Sequence, residues 1–179
     1  MIYKSPRTGK SPNIHSNCFI AENATIIGDV EIKEGANIWF GAVIRADLGK
    51  IVVGKNTSIQ EHCTLHIETG TDCIIGDNCI VGHGAIVHGP CSVGVNTLIG
   101  ISSTVLQGSK VGKGCVLASG AVLRGEMPDY TMFAGVPAAL KKQLNEKVEA
   151  ENIEAARLYV ENGMAFEEAG LGLNKLQIK

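Results

Sequence analysis

An aliphatic residue recurs every six positions through most of this chain. Starting at Ile14, it returns at Ile20, Ile26, Ile32, Ile38 and Ile44. After three extra residues the series resumes at Val53, Ile59 and Leu65, and after four more it runs from Ile75 to Leu123 without a break. All eighteen positions are Ile, Val or Leu, and fifteen of the residues four places further on are Ala, Cys, Ser or Thr; Val30, Leu48 and Met127 are the exceptions. A period of six suits neither an α-helix nor a long strand with one alternating face. It suits a short extended segment and a tight corner, repeated. Gly76-Asp77-Asn78 and Gly112-Lys113-Gly114 supply turn chemistry and residues tolerant of positive φ.

Composition agrees with such a shape. Glycine is high at 22 residues and aromatics are only 4% of the 179, so the core is built from small and aliphatic side chains. A net charge of −2 with 19% charged residues argues against a nucleic-acid surface built on bulk basicity. A hydrophobic fraction of 45% argues against disorder. No apolar run approaches the roughly 20 residues a membrane span needs, and Met1-Ile2-Tyr3-Lys4-Ser5-Pro6 lacks the pattern of a signal peptide. Cys18, Cys63, Cys79, Cys91 and Cys115 fall on the small position, and Cys73 lies beside an insertion. They read as small buried hydrophobes rather than disulfide or zinc cysteines. Unpaired core thiols fit a reducing compartment, so a cytoplasmic location is expected, with no membrane or nucleic-acid partner.

The pattern resembles the hexapeptide repeat of the left-handed parallel β-helix, where three hexads make one triangular coil. The resemblance implies a mainly β fold of about six coils, stacked at about 4.8 Å into a prism about 29 Å tall, with a C-terminal α-helix. The expected layout is a lead-in over 1–13, the β-helix over 14–127, an exit loop over 128–137, and a helix and tail over 138–179. Leu140, Leu144 and Val148, then Ile153, Ala156 and Val160, form an apolar stripe at helical spacing, with Gly163 as its stop. The tail around Gly170 and Gly172 carries no assignment.

The repeat gives each histidine an address. His66 follows Leu65 by one and His88 follows Val87 by one. They are 22 residues apart, of which four are the insertion, leaving one coil of 18. The two imidazoles therefore stack about 5 Å apart on one face. Arg45, one residue after Ile44, falls in the same column one coil earlier. His83 follows Val81 by two, on another side of the prism, with Gln60 read as its coil-neighbour. It can join His66 and His88 only across the interface of a symmetric trimer. Three imidazoles then form a zinc-type set with one position open for water. His15 and His62 have no partners in register and read as surface residues.

Arg45-Ala46-Asp47, Gln60 and the His66/His83/His88 set, on this repeat, resemble the γ-class carbonic anhydrases. The resemblance spans roughly residues 10–140. It implies a homotrimer with three intersubunit metals, His66 and His88 coming from one chain and His83 from the next. The metal is zinc, with iron(II) or cobalt(II) as alternatives. The activity implied is reversible hydration of CO2 to bicarbonate by a metal-bound hydroxide. Arg45 and Asp47 match the family's interfacial ion pair, with bicarbonate near Arg45. Gln60 matches the residue that orients the hydroxide, and Ser58 stands where the family carries Asn. Leu48 falls where the archaeal prototype carries a glutamate, and the acidic loop after the first histidine is short. Glu68 is the nearest proton shuttle, and Tyr159 matches a tyrosine near the family's site. The departures point to modest turnover. Three other functions compete: a hexapeptide acyltransferase with His83 as base, a metal-dependent acyl-CoA thioesterase, and a non-catalytic trimeric assembly protein.

Overall fold

The structure is a computed structural model that describes residues 1–173. Short parallel strands stack in three columns that enclose an aliphatic core. One column runs Ile20, Ile38, Ile59, Val81, Ile99, Leu117 and Phe133. A second runs Ile2, Ile26, Ile44, Leu65, Val87, Val105 and Leu123. The third runs Ile14, Ile32, Val53, Ile75, Val93, Val111 and Met127. The fold is a left-handed parallel β-helix with seven levels, one more than the hexad count gives. Ile2 starts a column before the hexads begin, and Met127 and Phe133 prolong two columns with residues outside the Ile, Val, Leu set.

The core follows from the pattern. From Ile20 onward the hexad residues are buried, most of them completely. Burying each such side chain contributes roughly 1.5–3 kcal/mol. The small positions turn the corners: Ala36, Ala42, Cys63, Ala85 and Ala121 are fully buried. All six cysteines are free and buried, and burial pushes the Cys63 thiol up to about 11 and the Cys79 thiol up to about 12. One edge of the prism is lined by Asn56, Asn78 and Asn96, each at a φ of 53–57°, a region asparagine tolerates better than most residues. Their amides form a ladder, Asn56 Nδ2 donating to Asn78 Oδ1 at 3.2 Å and Asn78 Nδ2 to Asn96 Oδ1 at 3.1 Å.

Two insertions fall at one corner; the ladder shifts register there, from Gly28 opposite Ala46 to Val30 opposite Ile51, and the columns continue in step beyond it. Strand Val43–Val53 runs through that corner and pairs with both Thr64–His66 and Asp72–Ile75. The extra residues therefore bulge outward while the stacking continues.

The C-terminal region departs from the apolar stripe. Ala139–Gln143 is a strand that pairs antiparallel with Thr131–Ala134, and the helix is Lys147–Glu168. Leu140 and Ile153 face solvent. Ala156 of the stripe is buried as expected, and Asn152 and Gly163 are buried beside it, outside the stripe. Gly163 is not a stop. A Cβ there would lie 2.9 Å from Phe19 Cβ, so glycine lets the helix backbone approach the first coil. Tyr159 and Phe166 pack their rings near Trp39 with centroids 6.2 and 5.2 Å away, and Asn152 Nδ2 donates to Asn96 O at 2.8 Å, beside the asparagine ladder. Beyond the helix, Leu173 N–H donates to Ile20 O at 2.7 Å. Residues 174–179 of the tail lie outside the described residues. No described helix is long and apolar enough to cross a membrane.

Gly163→Val is expected to cost about 1–3 kcal/mol by overpacking this contact. The melting temperature should fall and the emission of Trp39, the single tryptophan, should shift as its cover loosens, while the β-sheet circular dichroism persists.

Candidate active site

The site residues divide into two groups on different walls of the prism. The first is a column. Ile27, Arg45, His66 and His88 lie in register on adjacent coils. They alternate with the core residues Ile26, Ile44, Leu65 and Val87, so their side chains point outward. The His66 and His88 rings meet edge to face with centroids 5.4 Å apart. The insertion loops complete a cleft of about 360 Å³ lined by Arg7, Arg45, Asp47, Leu48, His66, Ile67, Glu68, Thr69 and His88.

Hydrogen bonds fix the first imidazole. Arg45 Nη2 lies 2.9 Å from His66 Nε2. A guanidinium can only donate, so Nε2 accepts and the ring proton sits on Nδ1, which donates to Arg45 O at 2.8 Å. A backbone carbonyl on the far nitrogen is what orients a ligating histidine; here the remaining lone pair, on Nε2, is covered by the Arg45 guanidinium, which a metal ion would have to displace. His88 Nδ1 is buried with no hydrogen-bond partner among the described residues. Such an atom costs about 1–3 kcal/mol unless something satisfies it. Arg45 Nη1 also pairs with Asp47 Oδ2 at 2.6 Å. Desolvation acts to raise the Asp47 pKa, but bonds from its own backbone and from Arg45 outweigh it and hold the carboxyl below the ordinary value of 3.8.

The second group surrounds His83, which is exposed in the turn after strand Ile80–Val81. Its Nδ1 lies 2.6 Å from Glu61 Oε2. Its backbone N–H donates to Gln60 Oε1 at 3.1 Å, so the buried Gln60 keeps its amide NH2 as the donor end. Glu61, not Gln60, is the register mate of His83, because both follow their column residue by two. Glu61 is a residue the sequence reading missed, although the count of 22 that relates His66 to His88 also relates 61 to 83. Ser58 is fully buried, and its Oγ accepts from Trp39 Nε1 at 3.2 Å. Tyr159 faces Trp39 on this same wall and does not line the His66–His88 cleft.

Glu68 lines the cleft, exposed, at the start of a turn closed by Thr71 Oγ1 donating to Glu68 O at 2.7 Å. His15 Nδ1 accepts from Asn17 N–H at 3.1 Å. His62 occupies a left-handed corner at φ 59°. Arg7 is a further cleft residue without a sequence signal, since its loop joins the cleft through tertiary packing: Ser5 Oγ donates to Asp47 O at 3.4 Å.

Among the described residues of one chain, no three His, Cys, Asp or Glu side chains converge to hold a metal ion. His66 and His88 stand on one wall and His83 on another. Imidazole donors of this kind would suit a borderline divalent cation, His66 being oriented by a carbonyl and His83 by a carboxylate.

Such a molecule is a parallel β-helix with histidine-bearing outer walls. A family model described as bacterial transferase hexapeptide (six repeats) matches residues 11–46. A hexapeptide transferase family protein from Anaplasma phagocytophilum superimposes with a TM-score of 0.86 at 33% identity, covering 93% of this chain and 98% of that one. The chain belongs to the hexapeptide-repeat family. Among curated proteins it is similar to a carbonic anhydrase from Geobacillus kaustophilus, 44% identical over 77 residues, covering 43% of this chain and 41% of that protein. It is also similar to γ carbonic anhydrase 2 of Arabidopsis thaliana mitochondria, 43% identical over 58 residues, covering 32% of this chain and 21% of that protein. The matched segments thus span less than half the length of these curated relatives.

The lowered Asp47 pKa sets a direction for acid stability. Its contribution is present above the unfolded value and lost as pH falls through the lower folded value. In urea unfolding from pH 7 to pH 2, Asp47→Asn should remove that part of the acid sensitivity. The change should be under about 1 kcal/mol, because the pair is partly solvated.

Proposed function

We propose that the protein is a metal-dependent enzyme of the γ-carbonic anhydrase type. It interconverts CO2 and bicarbonate at sites between the subunits of a homotrimer. The observation that carries this reading is the stacked pair His66 and His88, the first ring oriented through its Nδ1 by Arg45 O and the second with its Nδ1 buried without a partner among the described residues. The similarity to named carbonic anhydrases supports it. His66 and His88 of one subunit and His83 of the next hold the ion, which is zinc, iron(II) or cobalt(II). When bound, the ion supplies a Lewis acid that makes water a nucleophile at neutral pH.

The chain's own residues supply the rest. Glu61 holds His83 Nδ1 and turns Nε2 outward. Gln60, anchored through Oε1, offers its NH2 group to orient the attacking oxygen. Arg45, partly neutralised by Asp47, receives the bicarbonate anion. Glu68, exposed at the cleft, is the carboxylate that passes protons to solvent, and Tyr159 packs on Trp39, one coil from Gln60 on the same wall. Two exposed isoleucines flank the two groups, Ile86 two residues before His88 and Ile101 beside the His83 turn. Burying them against each other favours a trimer that unites the two walls. The six free thiols suit a cytoplasmic setting.

A second reading is acyl transfer, favoured by the likeness to a hexapeptide transferase family protein. His83 would act as general base, with Glu61 orienting it. Acyl-CoA turnover that survives chelation would support this reading over the first, and ester hydrolysis that needs metal would point to a thioesterase. Full metal occupancy with neither activity would leave an assembly role.

The decisive test is CO2 hydration on anaerobically purified protein, with metal counted per chain in the same sample. Activity proportional to about one metal per chain is the expected result. Turnover should rise with buffer concentration, because the proton path rests on one exposed carboxylate. Glu61→Gln should weaken metal binding about 10–100-fold, measured by chelator competition. His83→Ala and His88→Ala should each lose metal. Refolded together at equal amounts they should regain about a quarter of the sites, since random mixing in a three-fold ring pairs the intact halves that often. No recovery from mixed trimers would place all three ligands within one chain and refute the intersubunit arrangement.

A further inference from the structure

Cys73 and Cys91 stand apart from the other four cysteines. They are partners in register on adjacent coils, with Sγ atoms 3.4 Å apart. Cys63, in contrast, lies between Ala42 and Ala85 in its small-residue column, and Cys79 and Cys115 are separated by Thr97. Cys73 is fully buried and Cys91 is 8% exposed. Strand spacing of about 4.8 Å falls inside the Cα separation a disulfide accepts. A closure of about 1.3 Å between the sulfurs would complete the bond.

The pair lies under the wall of the cleft. A Cβ on Gly89 would lie 3.0 Å from both Cys73 Cβ and Ile67 Cγ2, so Cys73, Ile67 and Gly89 meet directly. Ile67 lines the cleft, and Gly89 follows His88. The bulge of residues 67–71 leads into Cys73, and the turn after His88 leads into Cys91.

We propose that Cys73 and Cys91 form a reversible intramolecular disulfide in response to hydroperoxides, pinning the 67–71 bulge to the turn after His88. In the first step the Cys91 thiol and hydrogen peroxide give Cys91 sulfenic acid and water. In the second the Cys73 thiol attacks the sulfenic sulfur, forming the S–S bond and releasing a second water. Two thiols are oxidised and one peroxide is reduced. The reaction is slow, because burial limits access to Cys91 and the Cys91 neighbour and burial together hold the Cys73 thiol well above its ordinary value. A dithiol reductant reverses it.

The test uses the full-length folded protein and hydrogen peroxide, with thiols counted after denaturation and the cross-link located by peptide mass. Titratable thiols should fall from six to four with a loss of about 2 Da, the cross-link joining residues 73 and 91. The oxidised protein should melt at a higher temperature, and dithiothreitol should restore both values. Cys73→Ser and Cys91→Ser should each abolish the cross-link, and Cys63→Ser should leave it intact. The proposal is overturned by a cross-link between other cysteines, by oxidation past sulfenic acid without a bond, or by six thiols surviving peroxide. Should the serine variants fold poorly, the peptide map of the unsubstituted chain decides by itself. None of these readouts depends on metal content or turnover.

Discussion

Parallel pairing in register is the constraint on which the rest of this structure depends. Each coil presents backbone donors and acceptors to the next, and the pairing is satisfied only if the coils stay aligned. A slip of one residue would turn the aliphatic set out to solvent and the polar set into the prism. The two insertions show how strictly this holds. The strand that passes the corner, Val43–Val53, pairs with segments on both sides of the second insertion, so the extra residues form the cleft wall, and the register shift between Gly28 and Val30 is absorbed within the corner. The cleft exists because the chain had length to dispose of at one corner and no freedom to dispose of it inside.

The same register makes the pair of His66 and His88 rigid. Their side chains leave the wall from paired backbone positions, so their separation is set by the ladder and not by flexible loops. Arg45 joins them as the preceding member of the column and serves twice, its carbonyl taking the His66 Nδ1 proton and its guanidinium covering Nε2. The second group obeys the same rule on another wall, where Glu61 sits in register with His83. His66 and His83 thus each have Nδ1 engaged by an acceptor, one a carbonyl and one a carboxylate.

These regularities explain what could be read from the chain before its structure. The aliphatic columns, the small corner residues and the stacking of Arg45, His66 and His88 are periodic features, and arithmetic recovers them. Glu61 was equally periodic, but comparison with Gln60, one place away, hid it. The seventh level was not visible, because Phe133 and Met127 are stacked by the ladder although neither belongs to the aliphatic set. The C-terminal helix was legible, but its docked face was not: it uses Asn152, Ala156 and Gly163 for close approach to the first coil, and of these the apolar stripe from Leu140 to Val160 held only Ala156, while Leu140 lies in a strand and Ile153 faces solvent. Arg7 reaches the cleft on a loop held by the hydrogen bonds of Ser5 and the Lys10–Asp29 ion pair, and tertiary contacts of that kind leave no period in the sequence.

A column on a β-helix also limits what one chain can do for a metal ion. Its side chains leave one flat wall, in one direction, at steps of about 4.8 Å. Two neighbours on the column can approach a common ion, but a third member would sit a further step along the line. A tetrahedral set needs donors from different directions, and a flat wall offers one. The second direction must come from another surface facing this one. His83, oriented by Glu61 on an exposed turn and flanked by an exposed Ile101, has the chemistry and the position on its own wall to be that surface. The division of histidines between two walls, an obstacle to any site within one chain, is what the proposed intersubunit site would require.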